Sequence, residues 1–219
     1  LVGSEMCIRD SLYASQLMRY SADATRYQEQ VARITILLKR FPEAKTSALQ
    51  VMLLQADYNR AESLASQWIG NTTDQDSHSE ALGILTRISP PLDQLQTQLN
   101  QQANQLKEQL DAYDANLQRA NRRRASNTPG NPNGNVGVPV TEDAFQLLQN
   151  DWRRLQGIAN RATYVTAWSL YYQGFLQSAG QDSPLYAKSR RLFELMLGIE
   201  SGESLNDRDS ETLNLETEY

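Results

Sequence analysis

The chain has 219 residues, 40% of them hydrophobic, with 26 acidic against 21 basic residues and a net charge of -5; its mean hydropathy is -0.59. That gives room for one or two domains with a thin core built from stripes. The acidic balance argues against nucleic acid as a partner, and no apolar run reaches the length of about 18 residues that a membrane span needs.

Residues 1–11 read LVGSEMCIRDS and join the pattern that follows without sharing its period. They resemble translated sequencing-adapter sequence, and on that reading belong to no natural protein; a genuine N-terminal segment is the other reading. Cys7, the single cysteine, lies inside them. The rest of the chain therefore offers no disulfide, thiolate nucleophile or cysteine metal site. The chain opens on Leu1 rather than Met and shows no charged-then-apolar leader. It reads as a fragment, which leaves targeting and compartment open.

Residues 12–40 show helical spacing. Leu12, Leu17, Tyr20 and Ala24, then, after a break near 21–25, Tyr27, Val31, Ile34, Leu37, Leu38 and Phe41 share a face. Pro42 ends this helix, because the residue before a proline is pushed out of the helical region. A second helix is predicted over about 43–69, striped by Ala48, Val51, Leu54, Tyr58, Ala61, Leu64, Ala65 and Trp68, with an interruption near 56–59. Gly70 and the polar run NTTD stop it. Asp76 or Ser77 is the expected cap of a short helix over 79–88.

Pro90 and Pro91 open a long helix over 91–126, proline being well suited to a first turn. Its stripe is Leu92, Leu95, Leu99, Leu106, Leu110, Tyr113 and Leu117. This is close to a heptad, with Gln102 and Ala103 filling one gap and a stutter before Leu110. The loop 127–139, NTPGNPNGNVGVP, breaks helix and favours turns. A second long helix, 141–178, is striped by Phe145, Leu148, Trp152, Leu155, Ala159, Ala162, Val165, Trp168, Tyr172 and Phe175. A long helix with one narrow stripe needs a partner along its length. The two are therefore predicted to form a long antiparallel hairpin, 91–178, with a flexible tip at 127–139. From about residue 164 apolar residues occupy more than one face, which predicts burial around Trp168 to Phe175. Gly180 ends that helix. A last helix, from Pro184 to Leu197, is stopped by Gly198. The tail 200–219 is acidic and reads as truncated. No segment alternates as a strand, so the predicted class is all-α.

Three stretches resemble the second-helix half of a tetratricopeptide repeat. RYQEQVARITILLKRFP, 26–42, has the tyrosine start, the apolar spacing and the Phe-Pro ending, with Gln30 where the family has alanine. ADYNRAESL, 56–64, carries Asp57, Tyr58 and Ala61. The third, 186–197, has Phe193 on its apolar face and Ser189 in place of alanine; ahead of it Ala167, Trp168, Tyr171, Tyr172, Gln173 and Gly174 look like a first helix. The resemblance implies an irregular, solenoid-like array over 12–88 and 184–199 that carries the hairpin as an insertion. It implies a scaffold that binds other proteins, with no catalysis, and with the Gln and Asn richness it leans towards a bacterial protein.

Candidate chemistry is sparse. His78, the only histidine, lies in TTDQDSHSE, and without a second histidine or native cysteine it reads as an exposed residue near a helix cap. Asp74, Asp76 and Glu80 lack the glycine and ligand spacing of a calcium loop and read as helix-start acids. Gly130, Gly134 and Gly137 lack the strand-loop-helix setting and Lys-Ser/Thr ending of a phosphate loop. Trp152, Trp168, Tyr171, Tyr172 and Phe175 could line a ligand groove, but at helical spacing they read as core. Arg119, Arg122, Arg123 and Arg124 gather near the end of the first long helix, where cations suit the dipole or can pair with Glu142 and Asp143. If a partner binds the hairpin tip, these four are the expected contacts.

The expected function is thus a non-catalytic protein–protein interaction scaffold of tetratricopeptide-like type, with no cofactor, no metal, no nucleic acid and a protein partner of unknown identity. The alternatives are a coiled-coil oligomerisation or adaptor element, or an accessory helical domain of a larger enzyme.

Overall fold

The computed structural model describes residues 24–40, 46–125 and 142–198, which are α-helical with short turns and contain no strand. The class is all-α, as the spacing predicts. Residues 1–11, the tip 127–139 and the tail 200–219 lie outside the described residues. The helices are α1 (Ala24–Arg40), α2 (Ser47–Gly70), α3 (Gln75–Ala125), α4 (Glu142–Leu176) and α5 (Pro184–Met196). The chain divides into two compact units, Leu1–Gln96 with Asn160–Tyr219, and Thr97–Ala159.

In the first unit α2 is the central element. Thr46 caps it, its side chain accepting from the Leu49 amide at 3.3 Å. Its buried residues, among them Leu49, Val51, Ala56, Tyr58, Ala61, Leu64 and Ala65, are not confined to one stripe. The alanines remove side-chain bulk, so neighbouring helices approach from more than one side. On one side Ala56 and Leu53 meet Tyr27, Ile34 and Leu38 of α1. On another, Tyr58, Ala61, Leu64 and Ala65 join Ala81, Ile84, Leu85, Ile88 and Leu92 of α3 and Val165 and Leu176 of α4 in the largest core cluster. This packing carries α2 through residues 56–59, where the sequence predicts an interruption: the segment holds no Gly or Pro, and Ala56 and Tyr58 are both buried.

Two boundaries differ from expectation. The cap of α3 is Asp74, not Asp76 or Ser77; its carboxylate accepts from the Ser77 amide at 3.1 Å and the Ser77 hydroxyl at 2.7 Å. In addition, α3 runs without a break through Pro90 and Pro91, where the pattern predicts two helices. The prolines remove two donors from the helix ladder. Ile88 and Leu92, fully buried on either side, hold the segment in the core. A polar clip lies beside it: Ser89 Oγ is 2.8 Å from the Leu85 carbonyl and 3.1 Å from Gln173 Oε1, and Gln173 Nε2 donates to Thr86 Oγ1 at 3.4 Å.

Next, α5 packs on α4 through small residues. An added Cβ at Gly174 would lie 3.0 Å from Tyr186 Cε1, a tight contact that the ring would have to shift to relieve. The Ser189 hydroxyl donates to the Ala167 carbonyl at 2.8 Å, and Leu192 joins Ala167 and Leu170 in a cluster. Ser183 caps α5, and Gly198 follows it at φ 62. α4 ends before Gly180, at Leu176. The Ala179 amide reaches back to the Gly174 carbonyl and the Ser178 amide to the Phe175 carbonyl, both at 3.0 Å, with Ser178 left-handed at φ 51.

The second unit, Thr97–Ala159, is simpler. Leu99, Ala103, Leu110 and Ala159 are buried. Tyr113 stacks on Phe145 at 6.2 Å, and the Lys107 ammonium lies 5.4 Å from the Trp152 ring centre. As residue numbers rise on α3 they fall on α4, so the two segments are antiparallel here.

Candidate functional site

Every third or fourth residue of a helix returns to one face. On α4 the positions 164, 168, 171 and 175 are all aromatic: Tyr164, Trp168, Tyr171 and Phe175. Much of the rest of the same stretch consists of small or aliphatic residues, Ala162, Val165, Thr166, Ala167, Ser169 and Leu170, all buried. Small side chains let neighbouring helices close in there and leave the rings at the surface. Tyr164 is 44% exposed, Tyr171 42% and Phe175 38%. The burial predicted for Trp168 to Phe175 therefore holds for Ser169, Leu170 and Gly174 and fails for Tyr171 and Phe175. Of the rings that could line a groove, Tyr171 and Phe175 keep that option, while Trp152 lies in the other unit under Lys107.

The exposed rings are braced by others. Trp168 meets Tyr164 at 6.3 Å, Tyr171 at 5.6 Å and Phe193 at 5.3 Å, all edge-on. Tyr171 leans on Tyr186 at 5.7 Å, and Phe175 meets Trp68 at 6.1 Å. Edge-to-face pairs add about 0.5–1.5 kcal/mol beyond area burial, so the face is rigid where a flexible loop would not be.

Beside this face stands Glu62 of α2. Its Oε1 accepts from the Tyr58 hydroxyl at 2.9 Å and the Tyr172 hydroxyl at 3.3 Å. Burial first, then the Glu62 charge and hydrogen bond, push the Tyr58 phenol far above its ordinary value, and the same causes in the same order raise Tyr172. Both phenols therefore stay protonated as donors. On the other side of α2, Asp57 accepts from the Tyr27 hydroxyl of α1 and from Arg87 Nη2 of α3 at 3.3 Å. Burial raises the Asp57 carboxyl, an effect the Arg87 charge partly offsets. Arg161 of α4 donates to Gln55, and Arg60 to Glu80 at 3.3 Å. Apart from Tyr58–Glu62, one helical turn apart, none of these links is signalled in the sequence, because the partners lie twenty or more positions apart.

The residues singled out from sequence are scattered. Arg119 and Arg122 are exposed on α3, Arg123 and Arg124 belong to the same helix, and the loop they are expected to flank lies outside the described residues. Among the described residues no ion pair joins Arg119 or Arg122 to Glu142 or Asp143; Glu142 instead accepts from Gln146 at 3.2 Å. His78 is not the exposed residue expected. It is half-buried against Trp68 with ring centres 4.8 Å apart, and its Nε2 lies 2.9 Å from the Leu176 carbonyl, because the first turn of α3 packs on the ends of α2 and α4. Glu80 pairs with Arg60, and Asp74 caps α3; hydrogen bonds from the Ser77 side chain and amide hold the Asp74 carboxyl below its ordinary value.

Among the described residues no group of three or more His, Cys, Asp or Glu is placed to hold a metal, and no helix is long and apolar enough to cross a membrane. No family model, curated protein or solved structure matches the chain.

Proposed function

We propose that this chain is a non-catalytic, protein-binding α-helical scaffold of irregular, tetratricopeptide-like type, whose partner seats on the aromatic face of α4. The observation that carries the reading is the line Tyr164, Trp168, Tyr171 and Phe175, three of whose rings are exposed. Aromatic side chains in contiguous exposed patches are what protein interfaces concentrate, and tyrosine and tryptophan dominate their binding energy. The rings sit on a helix whose other side is core, so little ordering cost remains for binding. The array reading draws support from α5: Tyr186, Ser189 and Phe193, which resemble the family's second helix, pack on Gly174, Ala167 and Trp168, which resemble its first. Arg119, Arg122, Arg123 and Arg124 are the contacts expected if a partner also reaches the hairpin tip.

The test is photo-cross-linking in the source cell. Benzoylphenylalanine at position 171 should yield discrete protein adducts, whereas the same probe in place of the exposed Gln94 should not. No adduct at 171, or the same adducts from both positions, removes the reading.

A further inference from the structure

Resting on the reading of the α4 aromatic face as a partner surface, we infer that the partner brings a basic side chain, arginine or lysine, whose cation is received by Glu62 within its cluster of tyrosines. Two neutral phenols donate to one oxygen of this carboxylate, at 2.9 and 3.3 Å, and neither neutralises it. Several other carboxylates of this unit have cations, among them Asp57 with Arg87, Glu80 with Arg60 and Asp93 with Lys188, whereas the acids Asp74 and Asp76 at the start of α3 have none among the described residues. Among the described residues no arginine or lysine forms an ion pair with Glu62. Its Oε2 has no donor among them either.

The rings around it point to the same ligand chemistry. Tyr58, Tyr172, Tyr171 and Trp168 form a connected chain with centroids 6.2, 5.8 and 5.6 Å apart. Aromatic faces attract cations, and a carboxylate among them adds a full counter-charge. The raised phenols do not ionise at neutral pH, so Glu62 is the charge of the cluster and its two donors hold it in place. Guanidinium fits best, since it can stack on a ring while its N–H groups reach a carboxylate. An anionic group would meet Glu62 unscreened, and a purely apolar one would leave Oε2 without a donor. The net charge of -5 favours approach of a basic partner.

The probe is a displayed library of amphipathic helical peptides with a fixed leucine and phenylalanine face and one randomised position beside it. Recovered binders should carry arginine or lysine at that position. Replacing that residue with neutral citrulline or norleucine should weaken binding to the intact chain by about tenfold and leave binding to Glu62→Gln unchanged. Glutamine keeps an acceptor for both phenols, and circular dichroism checks its helix content; if that variant does not fold, the neutral swap measured on the unaltered chain decides the matter alone. Binders with no basic preference that are lost on Tyr171→Ala or Phe175→Ala overturn the cation inference and keep the face. Binders indifferent to Tyr171→Ala and Phe175→Ala, or no binders at all, overturn both.

Discussion

Two ways of burying a helix occur in this chain. In the unit Leu1–Gln96 with Asn160–Tyr219, α2 is covered from several sides, and alanines and a glycine set how closely neighbours come. In Thr97–Ala159 each helix buries one line of residues against one partner, and aromatic and cation contacts flank the line. The contrast separates two sources of stability. Many-sided packing makes each residue costly to lose, whereas a single seam lets a site collapse around a deletion.

Truncation in the two settings is the strongest way to break this contrast. Leu85→Ala empties a fully buried site in the largest cluster and should cost about 3–4 kcal/mol. Leu110→Ala, on the seam between the partly exposed Leu106 and Tyr113, should cost about 2–3 kcal/mol. Urea denaturation measures both, and equal losses would erase the distinction.

The pH profile sharpens the same point through the tyrosines of the first unit. Tyr58 and Tyr172 have phenols raised from the ordinary 10.0 by burial first and Glu62 second. The folded state therefore holds these protons more tightly than the unfolded chain does. Their contribution to stability is complete below about pH 10 and is lost as pH rises towards the folded values. Asp74 works at the other end: its carboxyl is lowered from 3.8, so its contribution is present above that value and fades as pH falls below it. Ultraviolet titration should show two phenols ionising late, and Glu62→Gln should bring both down. Normal titration of every tyrosine would contradict the described environment.

The smallest effect concerns the turn after α4. Ser178 adopts φ 51, a left-handed conformation that glycine reaches at no steric cost. Ser178→Gly should stabilise the fold by about 0.5–1 kcal/mol, visible as a raised denaturation midpoint. A loss there would mean that the serine side chain supports the turn.

Legibility from sequence follows the same divide. The line Leu99, Leu110 and Tyr113 of the second unit is readable because one partner covers one face and the spacing records it. The rings of α4 are readable as helical but not as exposed, since spacing tells which residues share a face and not which face wins the interior. Small residues such as Ala162, Ala167 and Gly174 bear on that contest through how closely neighbours approach, which a hydropathy pattern does not record. The continuity of α3 through Pro90 and Pro91 is hidden because the segment sits in a core built from distant residues, with Gln173, more than eighty positions away, beside it. Glu62 is invisible as a candidate: its tyrosines come together only when α2 and α4 lie side by side.

Asp57 has a consequence for how this chain can change over generations. One carboxylate serves a phenol thirty positions before it and a guanidinium thirty positions after it. Exchange of the acid alone strands two partners at once, and exchange of either partner leaves a half-buried acid short of a donor. Positions 27, 57 and 87 should therefore drift together or not at all, and a set of descendants of this chain should carry that three-way correlation even where the rest of α1 has diverged.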